Sequence, residues 1–136
     1  MSRFSGFKSP NKKVRNATKI TVDGVAYDSR LEAFMAGLLF QFKIPFQTKT
    51  RIILQDGFRY NGKAVREIAI VPDFIITLPN KYIVADTKGF QGDKSKLQHK
   101  LLKRWLVDNH PNSEVYLPST KAECEKVVAY LLKELA

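Results

Sequence analysis

The sequence predicts a single α/β domain in which a mixed central β-sheet is flanked by helices. Two observations carry that expectation. Apolar, β-branched runs recur between turn-forming residues, as in Ile68-Ala69-Ile70-Val71 and Tyr82-Ile83-Val84-Ala85. Two capping boxes, Ser29-Arg30-Leu31-Glu32 and Thr120-Lys121-Ala122-Glu123, each open a stretch of apolar residues at helical spacing.

Ile20-Thr21-Val22 and Val25-Ala26-Tyr27 flank Asp23-Gly24, a pair suited to the positive φ angles of a type I′ turn, so a tight hairpin is expected. The first helix follows, with Leu31, Phe34, Met35, Leu38, Leu39 and Phe42 on its inner face and Pro45 marking its far end. Residues 46–86 read as the β-rich centre. There Arg51–Leu54 and Ala64–Ile70 flank a polar turn segment, Gln55–Lys63, and Phe74–Thr77 leads through Leu78-Pro79-Asn80 to Tyr82. Four or five strands in one sheet are expected, counting the hairpin. A second helix is predicted over Asp93–Asn109, with Leu97, Leu101, Leu102, Trp105 and Leu106 on one face. His110-Pro111-Asn112 stops it, Glu114–Leu117 reads as a further strand, and the terminal helix turns Val127, Val128, Leu131 and Leu132 inward.

With 136 residues the chain is long enough for one core. No apolar stretch approaches the roughly twenty residues of a membrane span, and no signal-peptide pattern opens the sequence. Cys124 is the single cysteine, so neither an internal disulfide nor a cysteine-based zinc site is available, which fits a reducing cytoplasm. A net charge of +10 points to a polyanionic partner. Residues 1–19 read by composition as a flexible basic arm ahead of the domain, 20–136, and Lys12, Lys13 and Arg15 there are candidate phosphate contacts. A solubilising tail is the competing account of that arm. The second helix carries Lys94, Lys96, His99, Lys100, Lys103 and Arg104, with Asp93 and Asp108 only at its ends. Such a face can track a DNA backbone, positioning the protein without reading sequence.

Pro72-Asp73 ends one apolar run and Asp86-Thr87-Lys88 ends the next. If the two runs pair as antiparallel strands, both carboxylates and one ammonium converge at one edge of a sheet, and Asp86 and Lys88 share a face. Oxygen ligands of this kind suit Mg²⁺, which is commonly held by one or two carboxylates, waters and substrate phosphates.

Tyr27–Ala33, Val71-Pro72-Asp73-Phe74, Asp86-Thr87-Lys88-Gly89-Phe90 and the Lys- and Leu-rich helix after them occur in an order that resembles the PD-(D/E)XK nucleases. Within that superfamily they are similar to the branch of phage-encoded endonuclease I and Holliday junction resolvases, over roughly residues 20–117. The resemblance implies a restriction-endonuclease-like core and Mg²⁺-dependent hydrolysis of DNA phosphodiesters, with Mn²⁺ as substitute metal. It also implies a branched or junction substrate, a homodimer and a host-cytoplasmic location if the protein is phage-encoded. Residue by residue, Asp73 and Asp86 would bind the metal, with the Thr87 carbonyl as a further oxygen. Lys88 would sit beside the attacking water, and Glu32 would complete the site or hold a second ion. Aspartate at 86 departs from the glutamate of many members and brings the metal about one methylene closer to the strand.

Bland explanations stand beside these assignments. Glu32 occupies the third position of a capping box, where helix capping alone accounts for it. Lys88 could be a solvated strand end, whereas an acidic residue such as Asp73 between apolar strand residues costs desolvation unless it is paired. His99 and His110 read as surface residues. Two alternatives to the resolvase remain: a nuclease of the same superfamily acting on linear duplex or DNA ends, and a non-catalytic DNA-binding accessory protein.

Overall fold

In the computed structural model, which describes residues 20–22, 24–87 and 92–136, the chain is a mixed α/β domain. The Asp-Gly hairpin forms as expected. β1 (Ile20–Val22) pairs antiparallel with β2 (Val25–Tyr27), and Gly24 at φ 78° supplies the left-handed turn; Asp23 lies outside the described residues.

α1 (Arg30–Gln41) starts at Ser29, whose Oγ accepts the Glu32 N–H at 3.1 Å. Its end comes earlier than Pro45. Lys43 adopts φ 57°, and two reverse hydrogen bonds close the helix: Lys43 N–H to the Phe40 carbonyl at 3.1 Å and Ile44 N–H to the Leu39 carbonyl at 2.9 Å. This is a Schellman arrangement with lysine where glycine is usual. It corrects the expected inner face. Phe42, at the helix cap, is 44% exposed, and Ile44 folds back beneath Leu39 to take its place in the core.

The expected single sheet of four or five strands divides, among the described residues, into four small ones. β3 (Ile52–Gln55) pairs antiparallel with β6 (Ile68–Ile70), with a register shift between Ile53 and Gln55. β4 (Phe58–Tyr60), inside the expected polar turn Gln55–Lys63, and β5 (Lys63–Val65), which straddles its end, form a separate antiparallel ribbon. Likewise Ala64–Ile70 is not one strand, because Arg66 and Glu67 separate β5 from β6. The central sheet has three strands. β7 (Phe74–Leu78) pairs antiparallel with β8 (Lys81–Ala85), and β8 runs parallel to β9 (Ser113–Tyr116), so this sheet is mixed. A two-way backbone bridge between Gln47 and Ile75, at 2.8 and 2.9 Å, covers the other edge of β7. Parallel pairing of β8 and β9 needs a long crossover, which α2 (Gly92–Asn109) provides.

Alternation along β7 and β8 builds two cores, one on each face of the sheet. Phe74, Ile76, Leu78, Ile83 and Ala85 pack with α1 and with α3 (Lys121–Leu135), through Met35, Leu39, Cys124, Val128 and Leu131. Phe74 is fully buried between Phe46, edge-on at 5.6 Å, and Tyr27 at 6.3 Å. Burial pushes the Cys124 thiol up to about 11, so it behaves as an inert apolar residue. On the opposite face Ile75 and Val84 meet Ile52, Ile70, Leu102 and Leu106. Leu97, expected inward on α2, is 57% exposed, since the buried arc of that helix centres on Leu102 and Leu106. No helix among the described residues is long and apolar enough to cross a membrane.

Candidate functional site

The site sits at the open end of the β7–β8 hairpin. Asp73 immediately precedes β7 and Asp86 immediately follows β8, and the register that pairs Phe74 with Ala85 sets the two aspartates opposite each other. Both are partly buried. The Asp86 N–H donates to the Tyr116 carbonyl at 3.0 Å, tying this end of β8 to the end of β9.

Asp73 is held by Thr87. Its Oδ2 accepts the Thr87 N–H at 2.8 Å and the Thr87 hydroxyl at 2.7 Å. Thr87 is 3% exposed and Asp73 partly so, which buries the donor end of this clamp. Sequence reasoning gave Thr87 a role through its carbonyl, and the hydroxyl and N–H contacts went unforeseen. The available signal was the antiparallel register itself, which brings the residue after Asp86 diagonally across from Asp73.

Glu32 and Thr87 are the two buried polar or charged side chains among the described residues. The second capping box supplies a direct comparison. Glu123 occupies the equivalent position in α3, is exposed, and accepts hydrogen bonds from the Ser119 N–H at 2.7 Å and hydroxyl at 3.0 Å. Those bonds hold its carboxyl below the usual glutamate range. Glu32, at 9% exposure, has instead been taken out of water, which capping does not require. Its neighbour Ala33 shares one core cluster with Phe74 and Ala85, the neighbours of the two aspartates. Even so, no group of three or more His, Cys, Asp or Glu side chains among the described residues is arranged to hold a metal ion. The structure therefore sets Asp73 opposite Asp86 and does not gather Glu32 with them into a three-carboxylate cluster. Lys88 lies outside the described residues, as do Lys12, Lys13 and Arg15 of the arm.

On α2 the side chains of Lys94, Lys96, Lys100, Lys103 and Arg104 are all exposed. Arg104 is engaged by Asp108 one turn on, through Nη2 at 2.7 Å and Nε at 3.2 Å. His99 departs from the expected surface position. It is half-buried on the flank between the apolar and basic arcs, and burial, with the Lys103 charge, lowers its pKa. It is thus a neutral side chain at pH 7, weaker as a phosphate contact than the lysines around it. His110 is likewise no simple surface residue, since its ring stacks on Tyr82 at 3.7 Å and 7°.

Residues 12–112 match the family described as a protein of unknown function, DUF1064, and the chain belongs to that family. No curated protein and no solved structure matches it.

Proposed function

We propose that this protein is a metal-dependent DNA endonuclease built on a restriction-endonuclease-like core, acting on branched DNA such as a Holliday junction. One observation carries the reading: two aspartates flank the open end of a central hairpin at opposing register positions, one of them clamped by a buried threonine. Two carboxylates brought close together repel unless a cation or proton lies between them. The pair also fits Mg²⁺ without a larger cage, because that ion keeps several waters and takes the rest of its shell from substrate phosphate.

Asp73 and Asp86 are the proposed ligands, with the Thr87 carbonyl as a further oxygen and Glu32 as an outer carboxylate. When bound, Mg²⁺ (or Mn²⁺) supplies positive charge at the scissile phosphate and activates water there. Thr87 fixes which way the Asp73 carboxylate points. Lys88, two residues beyond Asp86, offsets negative charge as it builds on the phosphate. The exposed lysines of α2 hold the flanking backbone, and a homodimer would present two such sites to the two symmetric strands of a junction.

The test is cleavage of a labelled four-way junction and a matched linear duplex in Mg²⁺, by the wild type and by Lys88→Ala. Paired symmetric nicks in the junction, lost in the variant, are expected. Equal cutting of linear duplex would remove the junction preference and favour the linear-duplex nuclease. Absence of cleavage of either substrate by folded protein in Mg²⁺ and Mn²⁺ would favour a DNA-binding accessory protein.

A further inference from the structure

The β4–β5 ribbon has no part in either core. Every residue from Phe58 to Arg66 is exposed, and none belongs to the two apolar clusters. Its turn is well made: Asn61 at φ 49° and Gly62 at φ 77° form the left-handed pair of a type I′ hairpin, and Arg59 Nη2 donates to the Gly62 carbonyl at 2.6 Å. The base is tightly closed. A side chain at Gly57 would meet the Val65 carbonyl oxygen at 3.1 Å and the Glu67 nitrogen at 3.3 Å, both backbone atoms.

Two features of this ribbon do not serve the monomer. Phe58 pairs with Val65 and Tyr60 with Lys63, so Phe58, Tyr60, Lys63 and Val65 share one face, on which Phe58, Tyr60 and Val65 are 48%, 67% and 37% exposed. A lone two-stranded ribbon is marginal in water and gains nothing from aromatic rings left wet. Between Phe58 and Arg66 there are also three cations, Arg59, Lys63 and Arg66, and no acidic residue. Apolar rings interleaved with unopposed cations complement a polyanion that also offers apolar base edges. A two-stranded ribbon is narrow enough for the major groove of duplex DNA, about 12 Å wide.

We propose that the β4–β5 ribbon is a duplex-DNA-binding arm, entering a groove beside the cleavage site with the Phe58–Tyr60 face inward, Lys63 reaching a phosphate from the rim of that face, and Arg59 and Arg66 on phosphates from the other. This rests on the reading of the chain as a DNA nuclease. The chain path agrees with a shared substrate. β5 leads through β6 to Asp73, and the twelve positions from Asn61 to Asp73 span at most about 40 Å when extended, close to one turn of B-DNA.

The experiment measures binding of a fluorescent duplex of about 20 base pairs, and of one of its strands, in Ca²⁺ so that binding is read without cleavage. Wild type, Arg59→Ala/Lys63→Ala/Arg66→Ala and Tyr60→Ala are compared across a salt series, with circular dichroism as the fold control. The triple variant should bind duplex at least tenfold more weakly. Its log affinity against log salt should flatten by about 2–3, since each lost phosphate contact removes roughly 0.9 from the slope. Tyr60→Ala should lose affinity with the slope unchanged. A triple variant with wild-type affinity and slope would overturn the ribbon assignment and leave the nuclease reading intact. Loss confined to the single strand, or an unaffected Tyr60→Ala, would overturn groove entry. Ribbon-dependent duplex binding by a wild type that cleaves nothing in Mg²⁺ would uphold the arm and remove the nuclease.

Discussion

Thr87 holds one oxygen of Asp73 with two donors at once, its backbone N–H at 2.8 Å and its hydroxyl at 2.7 Å. The N–H bond follows from strand register and survives any side chain. The hydroxyl bond needs a side-chain hydroxyl at this position. Thr87→Val preserves shape and removes that bond from a buried position, so it should cost about 1.5–3 kcal/mol in urea denaturation. Proposed cleavage should fall more than stability does, because Asp73 loses its orientation. A stable variant with full cleavage would show that the clamp is structural only.

Glu32 and Glu123 hold the same position in two capping boxes but differ in burial, and their substitutions should separate. Glu123→Gln is expected to weaken only the start of α3, slightly, with cleavage unchanged. Glu32→Gln should leave folding nearly intact and reduce Mg²⁺-dependent cleavage at least tenfold. Identical behaviour of the two variants in both assays would return Glu32 to a capping role.

A polar cluster at the far end of the central sheet should govern the pH dependence of stability. Lys81 donates to Glu114 at 3.1 Å and to the Tyr130 hydroxyl at 2.6 Å, and Tyr116 donates to Glu114. Burial alone would raise the Glu114 carboxyl, but hydrogen bonds from Tyr116, Lys81 and Tyr130 outweigh it and hold the pKa below the ordinary value of 4.5. The stability this provides is complete above that ordinary value and is lost as pH falls through the lower folded value. Glu114→Gln should therefore be less stable than wild type at pH 7, with the gap closing in acid. On the alkaline side the signs reverse. Lys81 is raised, chiefly by its bond to Tyr130, and Tyr116 is raised by burial and by Glu114, so their contributions fade as pH climbs past about 10. Urea titrations from pH 3 to pH 7 check the first claim, and a constant gap would contradict it.

Lys43 closes α1 in the left-handed region at φ 57°, where a side chain carries a steric cost. Lys43→Gly removes that cost but gives the unfolded chain more freedom, so a net gain of about 0.5–1 kcal/mol is expected from urea denaturation. A loss of stability would mean that the lysine side chain makes a contact outweighing the strain.

Local chemistry was legible in the sequence wherever it acts over a few residues. Asp23-Gly24 predicted its hairpin, and Ser29 and Thr120 predicted their helix starts. The run ending at Asp86 forms β8, but the run ending at Asp73, expected to be its antiparallel partner, pairs with β3 instead, and β8 pairs with β7, the run that begins after Asp73. What failed depends on distant partners. Division into small sheets follows from pairings such as Ile52 with Ile70 and Gln47 with Ile75, which no periodicity reveals. β4 falls within the segment that reads as a polar turn, and β5 and β6 read as one strand, because strands exposed on both faces leave no alternating pattern. Phe42 and Leu97 looked like core by spacing, yet the Schellman turn at Lys43 and the docking of α2 through Leu102 and Leu106 leave them in solvent. His110 showed no carboxylate partner in sequence, and its partner proved to be the Tyr82 ring.

The central claim is that Asp73 and Asp86 act together on a divalent cation at the end of the β7–β8 hairpin. Its most direct test is Mg²⁺ titration of four-way-junction cleavage by the wild type, Asp73→Asn and Asp86→Asn, with duplex binding in Ca²⁺ measured in parallel. The account predicts saturable Mg²⁺-dependent cleavage by the wild type, a loss of at least a hundredfold in each variant, and DNA affinity retained in both. Cleavage by either variant at the wild-type rate would contradict it.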